Sequence, residues 1–337
     1  MRKVLVTGGV GYIGSHTVVE LIEAGYVPVI IDNFSNSEPW IIDRIEEITK
    51  TKPTFYEGDC GNKDFLNEVF AEEKEIDSVI HFAAMKSAHE SIANPLEYYK
   101  NNLCSTLALL EVMSQYKVTK LVFSSSATVY GESDINPIPE TAELKNQTST
   151  YGTTKLMCES IIEDVAKSSS LKAISLRYFN PVGAHASALI GELPKGTPNN
   201  LVPYITQTAI GLREYLTVYG DDYPTMDGTC IRDFIHVVDL AQAHIAALKH
   251  LDITNASTHT KFNVGTGKGE SVMGLIKQFE SVTSVNLSYK IGPRRAGDII
   301  ECFADVSKIN SETGWQAKFD LDKALLDSWH WQQSLVT

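Results

Sequence analysis

Several things are scarce in this chain. Its five cysteines, Cys60, Cys104, Cys158, Cys230 and Cys302, are scattered, odd in number and without CxxC spacing, which excludes a disulfide framework or a thiolate zinc site. His81, His89, His236 and His244 lie at no metal-ligand spacing, so no metal is expected. No apolar run reaches the ~20 residues of a membrane-spanning helix, and the apolar stretch after Arg2 and Lys3 is shorter than a signal-peptide core. Positive charge is in deficit, with 29 Lys and Arg against 42 Asp and Glu, a net charge of −13. Such a surface argues against nucleic acid or an anionic membrane as partner, so an anionic ligand needs a local cluster of cations. Repeats and low-complexity linkers are lacking too. A cytoplasmic globular protein is expected, and its 337 residues suffice for a sizeable core and two lobes.

The chain does have a run of strand–helix alternation. Val4–Val6 is apolar and β-branched, and Gly8, Gly9, Gly11 and Gly14 follow at once, with Val18, Leu21 and Ile22 then at helical spacing. Strand, glycine turn and helix in that order let backbone approach a pyrophosphate at a positive helix N-terminus. A second strand, Val29–Ile31, ends at Asp32, where an acidic side chain meets the adenosine ribose hydroxyls. Its charge would repel a 2′-phosphate, which selects NAD over NADP; the alternative role is a cap on the following turn. Helices are expected at 38–50, 62–74 and 95–116, with strands at 54–56, 78–82, 121–123 and 171–176. This alternation predicts an α/β fold, a Rossmann-type doubly wound parallel sheet. Ligands of such sheets sit at the carboxyl ends of the strands, where Gly8–Gly14, Asp32, Asp59, Phe82–Lys86 and Ser124–Ser126 fall.

Tyr151 and Lys155 head an amphipathic segment, and four residues on a helix place both on one face. A phenol ionises near pH ~10. An ammonium at about 4–6 Å supplies roughly 3–4 kcal/mol toward lowering that value, making Tyr151 a candidate base for a hydroxyl proton. Ser126, the last of three serines, is the candidate to hold the reacting oxygen; Ser124 and Ser125 read as turn caps. Lys86 is either a solvated loop charge or a donor to the cofactor.

Beyond Val182 the alternation stops. Residues 184–200 form a loop-like insertion, helices are expected at 201–213, 236–250, 271–284 and 321–335, and strands at 215–219 and 261–264. The expected domains are 1–180 with about 236–265 returning to it, and a smaller mixed lobe of 181–235 and 266–337. Arg232, Arg294 and Arg295 supply forks suited to phosphate, unless they merely pair with Asp233 and Asp298.

Together VTGGVGYIGSHT, DNFSNS, HFAAMKS, PLEYYKNN, FSSSATVYG, YGTTKLMCE, RYFNPVGAH, PNNLVPYI, TCIRDFIHVVDLA and RRAGD resemble the extended short-chain dehydrogenase/reductase family over essentially the whole chain, and within it the branch that inverts C4 of UDP-hexoses. The resemblance implies reversible epimerisation of UDP-glucose and UDP-galactose through a transient 4-keto sugar and bound NAD, in a homodimer paired through the helices at 95–116 and 152–169. It implies that Tyr151 is the base, that Lys155 lowers its pKa and binds the nicotinamide ribose, and that Ser126 positions the 4-hydroxyl. It carries NAD contacts to Gly8, Gly11, Tyr12, Ile13, Gly14, Asp32, Asn33, Phe34, Ser35, Asn36, Ser37, Asp59, Cys60, Phe82, Ala83, Ala84, Met85, Lys86, Asn101, Ser124, Tyr151, Lys155 and Phe179. It carries UDP-sugar contacts to Lys86, Ser126, Tyr151, Asn180, Asn200, Leu201, Thr217, Val218, Tyr219, Arg232, Arg295, Asp298 and Cys302. Members that eliminate water carry acidic side chains where this chain has Ala127-Thr128, which favours epimerisation over dehydration or net oxidoreduction; a non-catalytic NAD-binding regulator is the remaining rival. Ala84 stands where relatives often have Gly. Cys302 is small where others carry a bulky aromatic, which predicts room for an acetamido group and activity on UDP-GlcNAc and UDP-GalNAc.

Overall fold

The structure is a computed structural model that describes residues 2–254, 256–295 and 298–336; Ala296 and Gly297 of the RRAGD stretch lie outside the described residues. In chain order the first part runs β1 (Lys3–Thr7), α1 (Tyr12–Glu23), β2 (Val27–Asp32), α2 (Ile41–Thr49), β3 (Thr54–Glu57), α3 (Lys63–Glu73), β4 (Ile76–His81), α4 (Ala88–Ala93), α5 (Pro95–Gln115), β5 (Lys120–Ser126), α6 (Thr150–Ser168) and β6 (Lys172–Tyr178). The remainder runs β7 (Asn180–Val182), α7 (Leu201–Ala209), β8 (Leu216–Tyr219), β9 (Ile231–Arg232), β10 (Phe234–His236), α8 (Val237–Ile253), β11 (His259–Val264), β12 (Glu270–Ser271), α9 (Val272–Thr283), β13 (Tyr289–Gly292), β14 (Glu301–Cys302), α10 (Ser307–Thr313) and α11 (Leu321–Ser334).

Seven strands form one parallel sheet in the order β11-β6-β5-β4-β1-β2-β3. Apolar β-branched runs buried on both faces are what a parallel sheet requires: Val4, Leu5, Val6, Val29, Ile30, Val79 and Ile80 are sealed from solvent. One face packs on α1, α2 and α8 around Val18, Leu21, Ile45 and Leu248. The other packs on α3, α5 and α6 around Leu66, Leu109, Val112 and Ile162. Because β1-β2-β3 runs one way and β4-β5-β6 the other, the order reverses between β1 and β4. A crevice opens there at the carboxyl ends, the place where such sheets take ligands.

Chain beyond Tyr178 builds a second core of Val182, Ile205, Leu216, Val218, Leu275, Phe279 and Leu325. β11 returns to the edge of the main sheet beside β6, as the apolar run at 261–264 suggested. Small sheets of β10-β7, β12-β9-β14 and β13-β8 carry the arginines to the crevice. One expectation about the first part is corrected: Ser124–Ser126 are the last residues of β5 rather than a turn. A short helix with no sequence expectation, α4, precedes the long one and is capped by Ser87, whose hydroxyl accepts from Glu90 N–H. No helix of the described residues is long and apolar enough to cross a membrane.

A buried ion pair registers α6 against the sheet. Arg177 of β6 donates to Glu159 Oε1 at 3.0 Å and Oε2 at 2.6 Å, and Ser125 donates to the same carboxylate at 2.5 Å. Both charged side chains are almost fully buried. Removing one partner from such a pair costs about 3–5 kcal/mol, whereas replacing both by well-packed apolar residues costs far less. Glu159→Ala should therefore lower the urea unfolding midpoint strongly, with the paired Glu159→Leu/Arg177→Met variant recovering much of the loss.

Candidate active site

The glycine turn between β1 and α1 shows what its residues are for. Gly8 sits at φ +70°, and a Cβ on it would lie 2.8 Å from Ala83 N; one on Gly14 would lie 2.2 Å from Gly8 O. Gly14 lets the turn close on itself, and Gly8 lets it approach the chain after β4. Gly11 is less crowded: an added Cβ would meet only Gly8 O, at 3.3 Å, a single tight contact. Gly11 is also the N-cap of α1, with no side-chain cap, so first-turn N–H groups at Tyr12 and Ile13 are left for an anion. The cradle suits the pyrophosphate of a dinucleotide.

Of the two roles weighed from the sequence for Asp32, at the end of β2, the structure shows the cap. Its carboxylate accepts from Val10 N at 3.0 Å, Phe34 N at 3.0 Å and Ser37 Oγ at 2.7 Å. It thus fastens the glycine turn to the loop of Asn33, Phe34, Ser35, Asn36 and Ser37, where Asn33 itself caps Ser35 N. Capping is the observed state, and the carboxylate still lies at the strand end beside the crevice. Asp59 and Cys60 follow β3. Asp59 accepts from Gly61 N at 2.7 Å, and burial pushes the Cys60 thiol up to about 12.

The loop Phe82-Ala83-Ala84-Met85-Lys86 leaves β4 on the other side of the crevice. Asn102 holds it: Oδ1 accepts from Met85 N at 2.8 Å and Nδ2 donates to Met85 O at 3.1 Å and to Thr154 Oγ1 at 2.9 Å. Asn101, the residue expected there, adds a longer bond to Met85 N at 3.3 Å. Asn102 was missed because the resemblance directs attention to ligand contacts, and its own role is to the loop and α6. Phe82 packs on His244 with ring centroids 4.7 Å apart.

Opposite lie Ser126, Tyr151 and Lys155. Ser149 caps α6 through Gly152 N, and Ser91 of α4 accepts from Tyr151 N at 3.0 Å. Lys155 Nζ donates to Ser124 O at 2.6 Å and lies 5.8 Å from the Tyr151 ring centroid. Ser126 Oγ accepts from Thr128 N at 3.2 Å and Thr128 Oγ1 at 3.0 Å. With both lone pairs engaged, its proton is free on the side of the Tyr151 phenol, whose ionisation Ser126 favours. The helical spacing was legible; the acidity was not. Burial pushes the Tyr151 phenol up to about 12, against the Ser126 bond, and pushes Lys155 down to about 8. In the chain without cofactor, burial thus outweighs the Lys155 charge at the phenol.

The second lobe closes the crevice. Phe179 and Cys302 pack with Ala127, Val129, Tyr130 and Ala304, so Cys302 reaches the wall near Ser126; burial pushes its thiol up to about 11. Cys302 is registered beside Arg232, whose Nη2 is 3.8 Å from Asp298, while Arg295 donates to Asp298 Oδ1 at 2.7 Å. Pairing with Asp298 is thus observed, but pairing with Asp233 is not. Asp233 is fully buried and accepts from Thr266, Gly267 and Ala304. Arg294 pairs with Asp222 instead. Asn180 opens β7, and Asn200 and Leu201 open α7. Thr217, Val218 and Tyr219 form β8, where Val218 is buried in the lobe core and could offer a ligand only backbone. The Tyr219 ring lies 5.6 Å from the Arg295 guanidinium. Among the described residues no group of three His, Cys, Asp or Glu could hold a metal ion.

A glycine cradle at the switch point, facing a Ser–Tyr–Lys set with arginines above, defines the class: an enzyme of the dinucleotide-dependent Rossmann type. The model of the NAD dependent epimerase/dehydratase family matches residues 4–265, and the chain belongs to that family. It is 50% identical over 334 residues to the UDP-glucose 4-epimerase of Bacillus subtilis, covering 99% of this chain and 97% of that protein. It superposes with a TM-score of 0.96 on the UDP-glucose 4-epimerase of Stenotrophomonas maltophila, crystallised with NAD and formylated UDP-arabinopyranose, at 48% identity over 100% and 99% of the two chains. The Bifidobacterium longum enzyme in complex with NAD⁺ and UDP gives 0.95 at 47% identity, over 99% and 98%.

One test follows from the buried lysine. Lys155 loses its proton near 8 in the folded chain and near 10.5 when unfolded. Between these values the unfolded state binds more protons, so stability contributed by this group rises with pH. In the ligand-free protein, the difference in urea stability between wild type and Lys155→Met should shift toward wild type from about pH 7.5 to about pH 9.5; an unchanged difference would show the ammonium to be normally solvated.

Proposed function

We propose that the protein interconverts UDP-glucose and UDP-galactose at C4, with NAD held throughout as the resident dinucleotide. The observation that carries this reading is the Ser126–Tyr151–Lys155 set, placed across the crevice from the glycine cradle. What the dinucleotide supplies when bound is a reversible acceptor for one hydride and a positive ring beside the phenol. Gly11 and the first turn of α1 would hold its pyrophosphate, the Asp32 loop its adenosine, and Lys155 its nicotinamide ribose. Two Lys155 protons remain for that after the bond to Ser124 O.

Tyr151 accepts the 4-hydroxyl proton as the hydride departs from C4, and Ser126, its own proton free, holds the reacting oxygen in line. The 4-keto sugar would turn about its phosphate linkage and be reduced on its opposite face, Tyr151 returning the proton. Atoms and electrons balance within the site. Arg232 and Arg295 grip the diphosphate and Asn200 and Leu201 the uridine end, while Phe179, Ala127 and Cys302 present the hexose with few directional contacts. The Ala127–Tyr130 turn carries no acid, so elimination of water lacks its general acid–base group. The small Cys302 side chain supports acceptance of N-acetylated hexoses.

Two copies pair through α5 and α6, where Leu107 and Met157 are exposed. A cytoplasmic setting fits five free cysteines.

Purified protein given UDP-galactose without added NAD should form UDP-glucose, with no accumulation of free NADH and no loss of water from the sugar. Either of those products would replace the epimerase reading by net oxidoreduction or dehydration. Tyr151→Phe should lower kcat by about 10²–10⁴-fold while UDP binding, measured by calorimetry, is retained. Cys302→Tyr should remove turnover of UDP-GalNAc selectively; equal loss on both sugars would sink the steric argument.

A further inference from the structure

Between Gly183 and Asn200 the chain has little regular structure, yet it touches the dinucleotide side of the molecule at three places. The Tyr12 hydroxyl donates to Gly183 O at 2.6 Å, Lys195 Nζ donates to Phe34 O at 2.9 Å, and Glu192 Oε1 lies 3.8 Å from Lys86 Nζ. That same Glu192 oxygen accepts from Asn200 Nδ2 at 2.5 Å. Lys86 belongs to the loop after β4, and Asn200 is the N-cap residue of α7. One carboxylate oxygen therefore joins two side chains from opposite sides of the crevice.

The carboxylate is anchored from behind. Glu192 O accepts from the Trp331 indole at 2.9 Å, and a Cβ on Gly191 would lie 2.4 Å from the same ring. The Glu192 side chain is 12% exposed and that of Lys86 50%, so the carboxylate is the fixed member and the ammonium the adjustable one. Burial pushes the Glu192 carboxyl up, opposed by Lys86 and Asn200.

We propose that Glu192 is a positioning residue that couples the two halves of the site, its single oxygen Oε1 fixing Lys86 on the dinucleotide side and Asn200 on the UDP side. This rests on the assignment of those halves to NAD and UDP-sugar made above. A uridine group that recruits the Asn200 amide releases Oε1 wholly to Lys86. The ion pair tightens, and the 184–200 segment is held more firmly against the dinucleotide. By linkage the effect is reciprocal: a retained dinucleotide favours UDP to the same extent.

The test uses the holoprotein and UDP alone, following NAD lost on rapid dialysis or gel filtration. In the wild type, saturating UDP should slow that loss by about five-fold or more, the lower end of ordinary site–site coupling. Glu192→Gln keeps an acceptor for Asn200 but removes the charge opposite Lys86, and should bring the ratio with and without UDP close to one. Lys86→Met should do the same, and the double variant should add nothing further. A general weakening of the fold would speed NAD loss equally with and without UDP and leave the ratio intact, which would overturn the proposal, as would a wild-type ratio near one. Turnover is assayed separately. Linkage without epimerisation sinks the assignment of function, and epimerisation without linkage sinks the role of Glu192.

Discussion

The seating of α6 on β5 and β6 is the constraint on which the site depends. Tyr151, Lys155 and Glu159 follow one another at four-residue intervals, forming one stripe of the helix. Two of them are tied to the sheet, Lys155 to the Ser124 carbonyl and Glu159 to Ser125 and Arg177, and Tyr151 lies a turn before Lys155 on the side of Ser126. The pleat of β5 turns Ser125 to the side opposite Ser124 and Ser126, and Ser125 is fully buried. Three consecutive serines thus perform three different tasks. A one-residue slip of the helix would misplace the phenol by about 1.5 Å, enough to spoil in-line proton transfer. The buried Glu159–Arg177 pair makes such a slip expensive, because either charge without its partner would be stranded in the core.

The same burial that fixes the geometry works against the chemistry. A phenol at about 12 must fall by some five units to act as a base at neutrality, which corresponds to about 7 kcal/mol. A unit charge at about 4–5 Å and an effective dielectric of ~20 supplies roughly 3–4 kcal/mol. One cation is too little; two are about right. In the proposed mechanism a bound, oxidised dinucleotide would supply the second, and Tyr151 would act as a base only with Lys155 charged and that cofactor in place. Without it, the chain's own residues would leave the proton on Tyr151.

Much of this was legible in the residues. The glycine turn, Asp32, the strand ends and the Tyr–Lys spacing are local signals, each readable within about one helical turn or one strand. Their placement round one crevice followed from strand–helix alternation, which the order β3-β2-β1-β4-β5-β6 realises. What escaped depends on contacts between distant segments. Asn102 and Asn101 are equally polar neighbours on α5, and only the docking of α5 on α6 makes Asn102 the one that clamps Met85. Glu192 lay in a stretch read as loop, where nothing marks a carboxylate that reaches both Lys86 and Asn200. The height of the Tyr151 pKa is set by burial, and spacing along a helix carries no information about how much protein will cover it. Arg232 and Arg295 share Asp298, because β14, which follows Asp298 closely, pairs beside β9.

The division between a gripping end and a permissive end follows from the same packing. At the far end of the crevice the available groups are directional: two guanidinium forks, the Asn200 amide and the N-terminus of α7. Near Ser126 the wall is Phe179, Ala127 and Cys302, buried against Tyr130 and Ile138, and it offers shape with few donors or acceptors. A sugar that must present both faces of C4 to one hydride acceptor cannot be held by many hydrogen bonds, since each would have to break during the turn. Binding energy placed on the nucleotide retains the intermediate without opposing that rotation, and is common to both epimers. The apolar wall then does a second service. In the proposed mechanism it adds few directional partners beside Ser126 and Tyr151, so whichever face is presented, the oxygen would return to the same proton donor.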